Sequence, residues 1–204
     1  MDARPVLIYL LRHGEVEGAE TRRFIGHLDV PLSVHGERQC AVQADRLRLA
    51  RLAAVFSSDL RRARRSAEII GAVHGLTPVT KPGLREMAMG RWEGLTAAAI
   101  QAGDPAAFAT WMAGVGEFAF PEGESVPDLA ARAWPALLEI AVAYQGRAVA
   151  VVAHGGTNRA LLCRSLGLPF GRLLSLGQDY AALSVLEGPG EGWRLRRLND
   201  TPML

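Results

Sequence analysis

Histidines and arginines stand directly after the apolar segments of this sequence. The segment VLIYLL (6–11) is followed at once by Arg12 and His13, and the segment AVAVVA (148–153) is followed by His154. An imidazole nitrogen can attack phosphorus, and guanidinium groups match the geometry and charge of phosphate oxygens. These residues therefore indicate phosphoryl transfer, provided that the fold brings them to one place.

Arg62 and Glu86 occupy comparable positions after two further apolar segments. A carboxyl group such as that of Glu86 could give a proton to a leaving oxygen and later take one from water. Two histidines and a carboxylate are also a frequent zinc ligand set. The arginines disfavour zinc, because cations repel a metal ion, so we predict a site without metal or cofactor.

The pattern of apolar residues predicts the elements that must position these side chains. Strands are predicted at 6–11, 53–58, 77–80, 148–154, 181–187 and 193–199, and the last two flank GPGEG as in a hairpin. Helices are predicted at 37–52, 58–75, 125–144 and 157–167, with Ser33 and Asp59 as caps of the first two. Alternating strands and helices indicate an α/β fold, a three-layer α/β/α arrangement with a mostly parallel central sheet.

Ligands of such sheets bind beyond the carboxyl ends of the strands. That rule brings together Arg12, His13, Arg62, Glu86 and His154. Two helix N-termini should point their free N–H groups at the same edge, which favours an anion. We expect the other histidines and arginines considered to be surface or structural residues, namely Arg61, Arg64, Arg65, His27, His35 and His74.

Length and composition limit the classes of protein. The 204 residues suffice for one sizeable domain, and no linker divides them, so we predict a single domain over 1–204. A net charge of +2 argues against a nucleic-acid surface. No segment resembles a membrane span or signal peptide, so the expected location is the cytoplasm. Cys40 and Cys163 are expected to be buried free thiols.

The region 93–124 differs from the rest of the chain. It is rich in Ala and Gly, carries Trp111, Phe118 and Phe120, and has no strong strand pattern. We predict a partly helical insertion that lies over the ligand-binding edge of the sheet.

The motif LRHGE at 11–15 resembles the defining motif of the histidine phosphatase superfamily, which has the phosphoglycerate mutase-like fold. The resemblance extends over nearly the whole chain. Further blocks follow in the family's order at 26–39, 57–64, 84–95, 120–132, 151–162 and 197–204. The three letters RHG alone would be weak evidence, whereas six further blocks in order are strong.

The resemblance implies a role for each matching residue. His13 would be the phosphorylated nucleophile and Glu86 the general acid and base. Phosphate would be held by Arg12, Arg62 and His154, with Gly26 and Gly155 completing the substrate-binding residues. Arg62 rather than Arg61 fits, because the family arginine stands two residues after the leucine, here Leu60. The family needs no metal.

The subfamily is predicted less directly. Mutases of this family follow RHGE with Ser or Thr and then Trp-Asn, whereas this chain has VEGAETRR at 16–23, which favours a phosphatase. RHGEVEG, PEGES and WRLRRLNDT are most similar to α-ribazole phosphatases, which act on α-ribazole 5′-phosphate in cobalamin biosynthesis, although Met203 stands where a histidine is expected. The alternatives are a phosphoglycerate mutase, a phosphatase of sugar phosphates or phosphoglycerate derivatives, and a non-catalytic regulator. The expected partner is a small phosphate ester, and a homodimer is left open.

Overall fold

The computed structural model describes residues 4–202, so Met203 lies outside the described part of the chain. Within that part six strands form one sheet in the order β3-β2-β4-β1-β5-β6. Their bounds are β1 Val6–Arg12, β2 Leu52–Ser57, β3 Val79–Thr80, β4 Ala148–Ala153, β5 Leu183–Gly188 and β6 Arg194–Asp200. The first four strands pair in parallel, and β5 and β6 are antiparallel, which confirms the predicted mostly parallel sheet and the hairpin.

Six α-helices lie between the strands of the described residues. Their bounds are α1 Val34–Leu47, α2 Arg61–Ala72, α3 Ala97–Gly103, α4 Pro105–Ala113, α5 Val126–Ala143 and α6 Gly155–Leu166. Apolar residues of α1 and α2 cover one face of the sheet, and those of α5 and α6 cover the other. The predicted three-layer α/β/α fold is therefore confirmed.

The central strands β1 and β4 are nearly continuous apolar segments, because helices cover both faces of the sheet there. Ile8 and Leu10 of β1 join the core on the side of α5, whereas Leu11 joins the core on the side of α1. All three side chains are at most 1% exposed. Burying each of them contributes about 1.5–3 kcal/mol of hydrophobic free energy, which fixes the position of the strand that carries Arg12.

Two details of the predicted helices differ from the structure. Helix α1 covers Val34–Leu47 rather than 37–52, and Ser33 caps it by accepting the N–H of Gly36 at 3.0 Å. Asp59 does not cap α2, because its carboxylate binds Arg85 at 2.5 and 2.8 Å. The N–H of Arg61 is bound instead by Asp29, at 2.7 Å, which lies far away in sequence.

The aromatic residues of the region 93–124 form part of the main core. The Trp92 ring lies 5.1 Å from Phe118 and 5.2 Å from Phe120, and Phe24 lies 5.4 Å from Trp111. Helices α3 and α4 belong to this region. The aromatic cluster supports Phe24 from behind, and Phe24 itself lines the pocket described below.

Two further sequence predictions concern the state of the cysteines and membrane-spanning segments. Cys40 and Cys163 are both buried free thiols, as predicted. None of the helices in residues 4–202 combines the length and the hydrophobicity needed to cross a lipid bilayer.

Candidate active site

The chain turns after β1 in a space that admits only glycine. A side-chain carbon at Gly14 would lie 2.4 Å from the carbonyl oxygen of Gly36 and 2.9 Å from the sulfur of Cys40. This close approach of β1 and α1 ends the strand sharply. Arg12 and His13 are therefore presented at the carboxyl edge of the sheet, as the sequence predicts.

His13 is buried and has a defined tautomer. Its Nδ1 lies 2.7 Å from the carbonyl oxygen of Gly14, and this oxygen can only accept, so Nδ1 carries the proton. Nε2 is left with the free lone pair. Burial lowers the pKa of His13 well below 6.5, and the charges of Arg12 and Arg62 lower it further, although the bond to Gly14 opposes the shift. The ring is therefore a neutral nucleophile at neutral pH.

His154 lies beside His13 at the end of β4. The two ring centroids are 5.1 Å apart in an edge-to-face arrangement, and Nε2 of His154 lies 2.7 Å from the hydroxyl of Ser58. Nδ1 of His154 is buried without a hydrogen-bond partner among the described residues. Such an atom carries a desolvation cost unless a ligand meets it, so it fits a site for a polar group.

The charge of His154 bears on how it could hold a phosphate group. A second histidine stabilises a phosphate most effectively when its ring is protonated. Burial, followed by the charge of Arg62, lowers the pKa of His154 well below 6.5. In the unliganded site the ring is therefore neutral, and an arriving dianion would have to supply the negative charge that favours its protonation.

Arg62 and Arg61 are adjacent but point in different directions. The side chain of Arg62 is 1% exposed and donates to the carbonyl oxygens of Gly26 and Leu28, both at 2.7 Å. Arg61 is exposed. Two of the five N–H donors of Arg62 are used in these bonds, which leaves three for a ligand. The structure places Arg62 in the pocket, as predicted.

Arg12 is held by a residue that sequence reasoning missed. Its guanidinium carbon lies 3.9 Å above the centre of the Tyr180 ring, within range of a cation–π interaction. Nη1 donates to the carbonyl oxygen of Gln178 at 2.6 Å, and Nε is buried without a partner in the described residues. Tyr180 also lies 5.7 Å from the His13 ring. It reaches the site from the loop before β5, which no strand-end rule would select.

Glu86 reaches the same pocket from a loop without regular secondary structure. Oε2 accepts the N–H of Gly156 at 3.0 Å, and Oε1 accepts the N–H groups of Thr157 at 3.1 Å and Met87 at 2.9 Å. The side chain of Glu86 is 9% exposed and lines the pocket with His13. Among the described residues that line the pocket, Glu86 is thus the one that carries a carboxyl group.

Two helix N-termini were predicted to offer free N–H groups to a ligand, and in the structure carboxylates of the protein bind three of these groups. At the start of α6, the N–H groups of Gly156 and Thr157 bind Glu86. At the start of α2, the N–H of Arg61 binds Asp29. The physical preference of a helix N-terminus for an anion is fulfilled here by carboxylates of the protein itself.

The two predicted glycines have different surroundings. Gly26 lines the pocket, has a φ of +51°, and its carbonyl oxygen binds Arg62. A side chain there would meet Glu93, whose Oε1 would lie 2.2 Å from the added carbon. Gly155 begins α6, and an added carbon would lie 3.5 Å from Nε of Arg12. Gly26 therefore shapes the pocket wall, whereas a side chain at Gly155 would make only ordinary contact with Arg12.

The pocket has a buried end and an exposed rim, with a volume of about 340 Å³. The buried end consists of His13, Arg62 and Glu86, joined by the half-buried Arg12. Arg22 and Arg23 form the rim, and both are exposed. The apolar wall between them consists of Val16, Phe24, Ile25 and Met89. The volume is at the lower end of the range for small-molecule sites, which suits a small ester.

Most residues expected to be structural are indeed outside the site. Arg61, Arg64, Arg65 and His35 are exposed, and His74 is half-buried at the far end of α2. His27 is the exception, because its Nε2 donates to the carbonyl oxygen of Glu86 at 2.7 Å. Ser58 could have been found from the sequence, because it follows β2 directly, at the same edge as His13.

The arrangement combines a neutral imidazole, two guanidinium groups and a carboxyl group around one pocket, with a second histidine beside the first. Within residues 4–202 no group of three or more His, Cys, Asp or Glu side chains is placed to hold a metal ion. The cations are suited to a phosphate group, and the lone pair of His13 Nε2 is suited to attack phosphorus.

Comparison with known proteins gives a consistent result. The family model described as histidine phosphatase superfamily (branch 1) matches residues 8–201. A curated relative from Yersinia pestis (strain Pestoides F), named probable phosphoglycerate mutase GpmB, is 33% identical over 202 residues, which cover 97% of this chain and 94% of the relative.

Solved structures show the same similarity. A mycobacterial glucosyl-3-phosphoglycerate phosphatase is 34% identical with a TM-score of 0.88, and the match covers 97% of this chain and 100% of the other. The α-ribazole phosphatase from Shigella flexneri is 23% identical with a TM-score of 0.86, covering 95% and 96% of the two chains. At that identity the likeness concerns the fold alone.

Proposed function

The chain belongs to the histidine phosphatase superfamily, as its motifs predict, and we propose that it hydrolyses a small phosphate monoester through a phosphohistidine at His13. The observation that carries the proposal is the tautomer of His13, whose Nδ1 is bound to Gly14 so that Nε2 is free. Arg12 and Arg62 line the same pocket as His13, and the ring of His154 lies 5.1 Å from the His13 ring, so the site combines positive charge and a second imidazole near the nucleophile.

The first half of the reaction transfers the phosphoryl group to His13. Nε2 attacks phosphorus, the bond from phosphorus to the ester oxygen breaks, and the leaving alkoxide takes a proton from the carboxyl group of Glu86. Arg12 and Arg62 hold the non-bridging oxygens and balance the charge that develops on them.

The second half returns the enzyme to its starting state. Glu86, now a carboxylate, takes a proton from water as the water oxygen attacks phosphorus and the bond to Nε2 breaks. Inorganic phosphate leaves, and Glu86 is again protonated. No electron acceptor or metal ion is needed to balance either step.

The rim favours one class of substrate. Within residues 4–202 the guanidinium groups of Arg22 and Arg23 form no ion pair, although both line the pocket. A substrate with a second anionic group, such as a phosphoglycerate derivative, would meet them when its phosphate lies at His13. These two arginines favour a phosphoglycerate-type ester as the substrate. The alternative substrate, α-ribazole 5′-phosphate, is supported by the similarity of sequence motifs.

The apolar wall favours hydrolysis over mutase activity. Val16 is 2% exposed, lines the pocket and stands where mutases of the family carry Ser or Thr. The Trp-Asn pair of the mutases is also replaced, within VEGAETRR at 16–23. All five proposed catalytic residues are present, which disfavours a non-catalytic regulator.

The proposal is tested with purified protein and a panel of phosphate monoesters. The panel contains p-nitrophenyl phosphate, β-glycerol phosphate, 3-phosphoglycerate, a glucosyl phosphoglycerate and α-ribazole 5′-phosphate. We expect phosphate release after exhaustive chelation, and an acid-labile, alkali-stable phosphoenzyme in quenched samples. Mutase activity would instead require a bisphosphoglycerate primer and would give isomerised product. Binding of the esters without turnover would overturn the proposal in favour of a regulator.

A further inference from the structure

The loop that carries Glu86 has no hydrogen-bonded strand or helix to fix it. A short 3-10 turn ends at Leu84, and the next regular element begins at Gly90. A proton donor must be held at a defined position relative to the leaving oxygen, because small displacements have large effects on rate. The question is therefore which groups fix the backbone of this loop.

Arg132 of α5 binds the loop through three of its carbonyl oxygens. Nη1 donates to the carbonyl oxygens of Gly83 at 3.0 Å and Arg85 at 3.1 Å, and Nη2 donates to that of Glu86 at 3.1 Å. Arg132 thus contacts the residue proposed as the acid, the residue before it and Gly83 in the preceding 3-10 turn. None of these contacts involves the carboxyl group of Glu86 itself.

Glu124 binds the other end of the same loop and also orients Arg132. Its Oε1 accepts Nε of Arg132 at 2.8 Å, and its Oε2 accepts Nη2 at 2.7 Å. Oε2 also accepts the N–H of Ala88 at 2.9 Å, and the N–H of Glu124 donates to the carbonyl oxygen of Ala88 at 2.8 Å. Residues on both sides of Glu86 are therefore tied to one ion pair.

All five N–H donors of Arg132 are used in this way. Three of its bonds go to carbonyl oxygens of the loop and two go to Glu124. A lysine has three donors on one nitrogen and could not reproduce this fork. Burial alone would raise the pKa of Glu124, but the bonds from Arg132 and Ala88 outweigh burial and lower it. Glu124 therefore remains ionised at neutral pH.

We propose that Arg132 and Glu124 are positioning residues for the general acid, and that they act by holding the 83–88 backbone so that the Glu86 carboxyl group faces the leaving oxygen. This inference rests on the proposed function. It goes beyond that function because neither residue lines the pocket or contacts the reacting atoms. An exposed ion pair would contribute little, whereas this half-buried pair directs every remaining donor to one loop.

Positioning of the general acid should affect the kinetics in a way that simple stabilisation of the fold would not. Proton donation matters greatly when an alkoxide leaves and little when a nitrophenolate leaves. Loss of Arg132 should therefore slow phosphorylation of the enzyme by β-glycerol phosphate about 10–10²-fold, on the scale of a misplaced catalytic group. Phosphorylation by p-nitrophenyl phosphate should change by less than about threefold.

The test compares Arg132→Met with Arg46→Met. Arg46 is a matched control, because it also forms a bidentate pair with a carboxylate, Asp200, at 2.7 Å for both bonds. That pair joins α1 to β6 on the surface rather than to the Glu86 loop. Rate constants of the phosphorylation burst are measured by rapid quench for both esters. These rate constants do not depend on the fraction of folded molecules, so partial unfolding affects only the amplitude.

A double-mutant cycle with Glu86→Gln separates action through the acid from other effects. Once Glu86 can no longer give a proton, removing Arg132 as well should change the β-glycerol phosphate burst rate little further. Glu124→Gln should show the same selectivity for leaving groups, and Arg132→Lys should restore only part of the rate. These two variants keep the test open if Arg132→Met does not fold.

Four outcomes would overturn the inference or its basis. Equal losses for the two esters in Arg132→Met, or a leaving-group effect in Arg46→Met, would refute positioning by Arg132 while leaving the proposed function intact. Full additivity with Glu86→Gln would do the same. A wild-type protein that forms no phosphoenzyme from either ester would refute the proposed function, and the positioning role would fail with it.

Discussion

The two ends of the pocket are built on opposite principles. At the buried end, His13 and Arg62 line the pocket and His154 lies beside His13; each of the three is at most 5% exposed, and a hydrogen bond to the protein fixes each of them. At the rim, Arg22 and Arg23 are exposed, and within the described residues neither guanidinium group forms an ion pair. The same kind of charge is therefore rigid at one end and free at the other.

This difference assigns different tasks to the two ends. Charges held rigidly away from water stabilise a transition state strongly, because they need no reorganisation during the reaction. Exposed charges are screened by solvent and salt, and they contribute mainly to binding and to the approach of the ligand. We therefore expect variants at the buried end to change the chemical steps and variants at the rim to change substrate preference.

The largest effect is expected for His13→Ala at the buried end. Removing the nucleophile from a group of cooperating residues should lower kcat by several orders of magnitude, on the order of 10⁴-fold or more. The exposed His35→Ala is the control and should retain full activity. Quenched samples are analysed for acid-labile, alkali-stable phosphate, and if such phosphate still forms in His13→Ala, another residue is the nucleophile.

The next largest effect is expected for Arg62→Ala. We expect a loss of about 10²–10³ in kcat/KM, the scale for removing one preorganised charge-stabilising donor. The carbonyl oxygens of Gly26 and Leu28 would also lose a donor, at a cost of about 1–3 kcal/mol each in stability if no water replaces it. Steady-state kinetics and thermal melting measure the two effects separately.

Arg61→Ala is the matched control for Arg62, because it removes the same side chain from the adjacent, exposed position. It should change kcat/KM by less than about twofold, as for most surface substitutions. Similar losses in the two variants would contradict the assignment of Arg62 to the buried end.

The residues of the buried end were largely predictable from the sequence, because each lies just after a strand or in the first turn of a helix. His13 and His154 follow apolar strands, Arg62 lies in the first turn of a helix, and the strand-end rule brings them together. The hydrophobic pattern likewise predicted all six strands of the sheet among the described residues. A strand that is buried on both faces has a continuous apolar sequence, and such a segment can be recognised without a structure.

Residues placed by loops or by distant contacts were not predictable in this way. Tyr180 reaches Arg12 across more than 160 residues of sequence, and the carboxylate of Asp29 caps a helix for which Asp59 was predicted. Arg132 and Glu124 lie within the block 120–132 that resembles the family, yet the pattern gave them no role. Local periodicity reports which residues share a face, and it does not report which loop packs against that face.

A smaller effect is expected from the double variant Arg22→Gln, Arg23→Gln at the rim. It should lower kcat/KM about tenfold for an ester with a second anion, such as 3-phosphoglycerate, mainly through a higher KM. The change for p-nitrophenyl phosphate should be less than about twofold. These magnitudes correspond to one or two exposed charge interactions, which are each worth about 0.2–1 kcal/mol.

Salt provides the control for the rim. The tenfold difference should shrink when the ionic strength is raised from about 0.05 to 0.5 M, because exposed charges are screened over shorter distances. The loss in Arg62→Ala should persist at high salt. A rim variant that loses kcat equally on both esters would show that the two ends do not divide their tasks as proposed.

The smallest effect on the enzyme is expected from acidification, and it tests the burial of the two histidines directly. Burial, aided by Arg12 and Arg62, lowers the pKa values of His13 and His154 well below 6.5, so both rings should stay neutral as the pH falls from 7.5 into the weakly acidic range. In the unfolded chain the same rings bind protons near pH 6.5. The unfolded state therefore binds more protons than the folded state below that pH.

The sign of the effect on stability follows from this difference. The contribution of the neutral rings to the free energy of unfolding is present in full above pH 6.5. It is lost as the pH falls towards the lowered pKa values of the folded protein. The loss is at most about 1.4 kcal/mol per pH unit for each ring. Nitrogen NMR of ring-labelled histidines should show that His13 and His154 keep their neutral shifts in the folded protein and titrate normally in urea. Urea unfolding at pH 7.5 and 6.0 should show the matching loss of stability. Titration of either ring near pH 6.5 in the folded protein would mean that water reaches the buried end, and the contrast between its fixed charges and those of the rim would no longer hold.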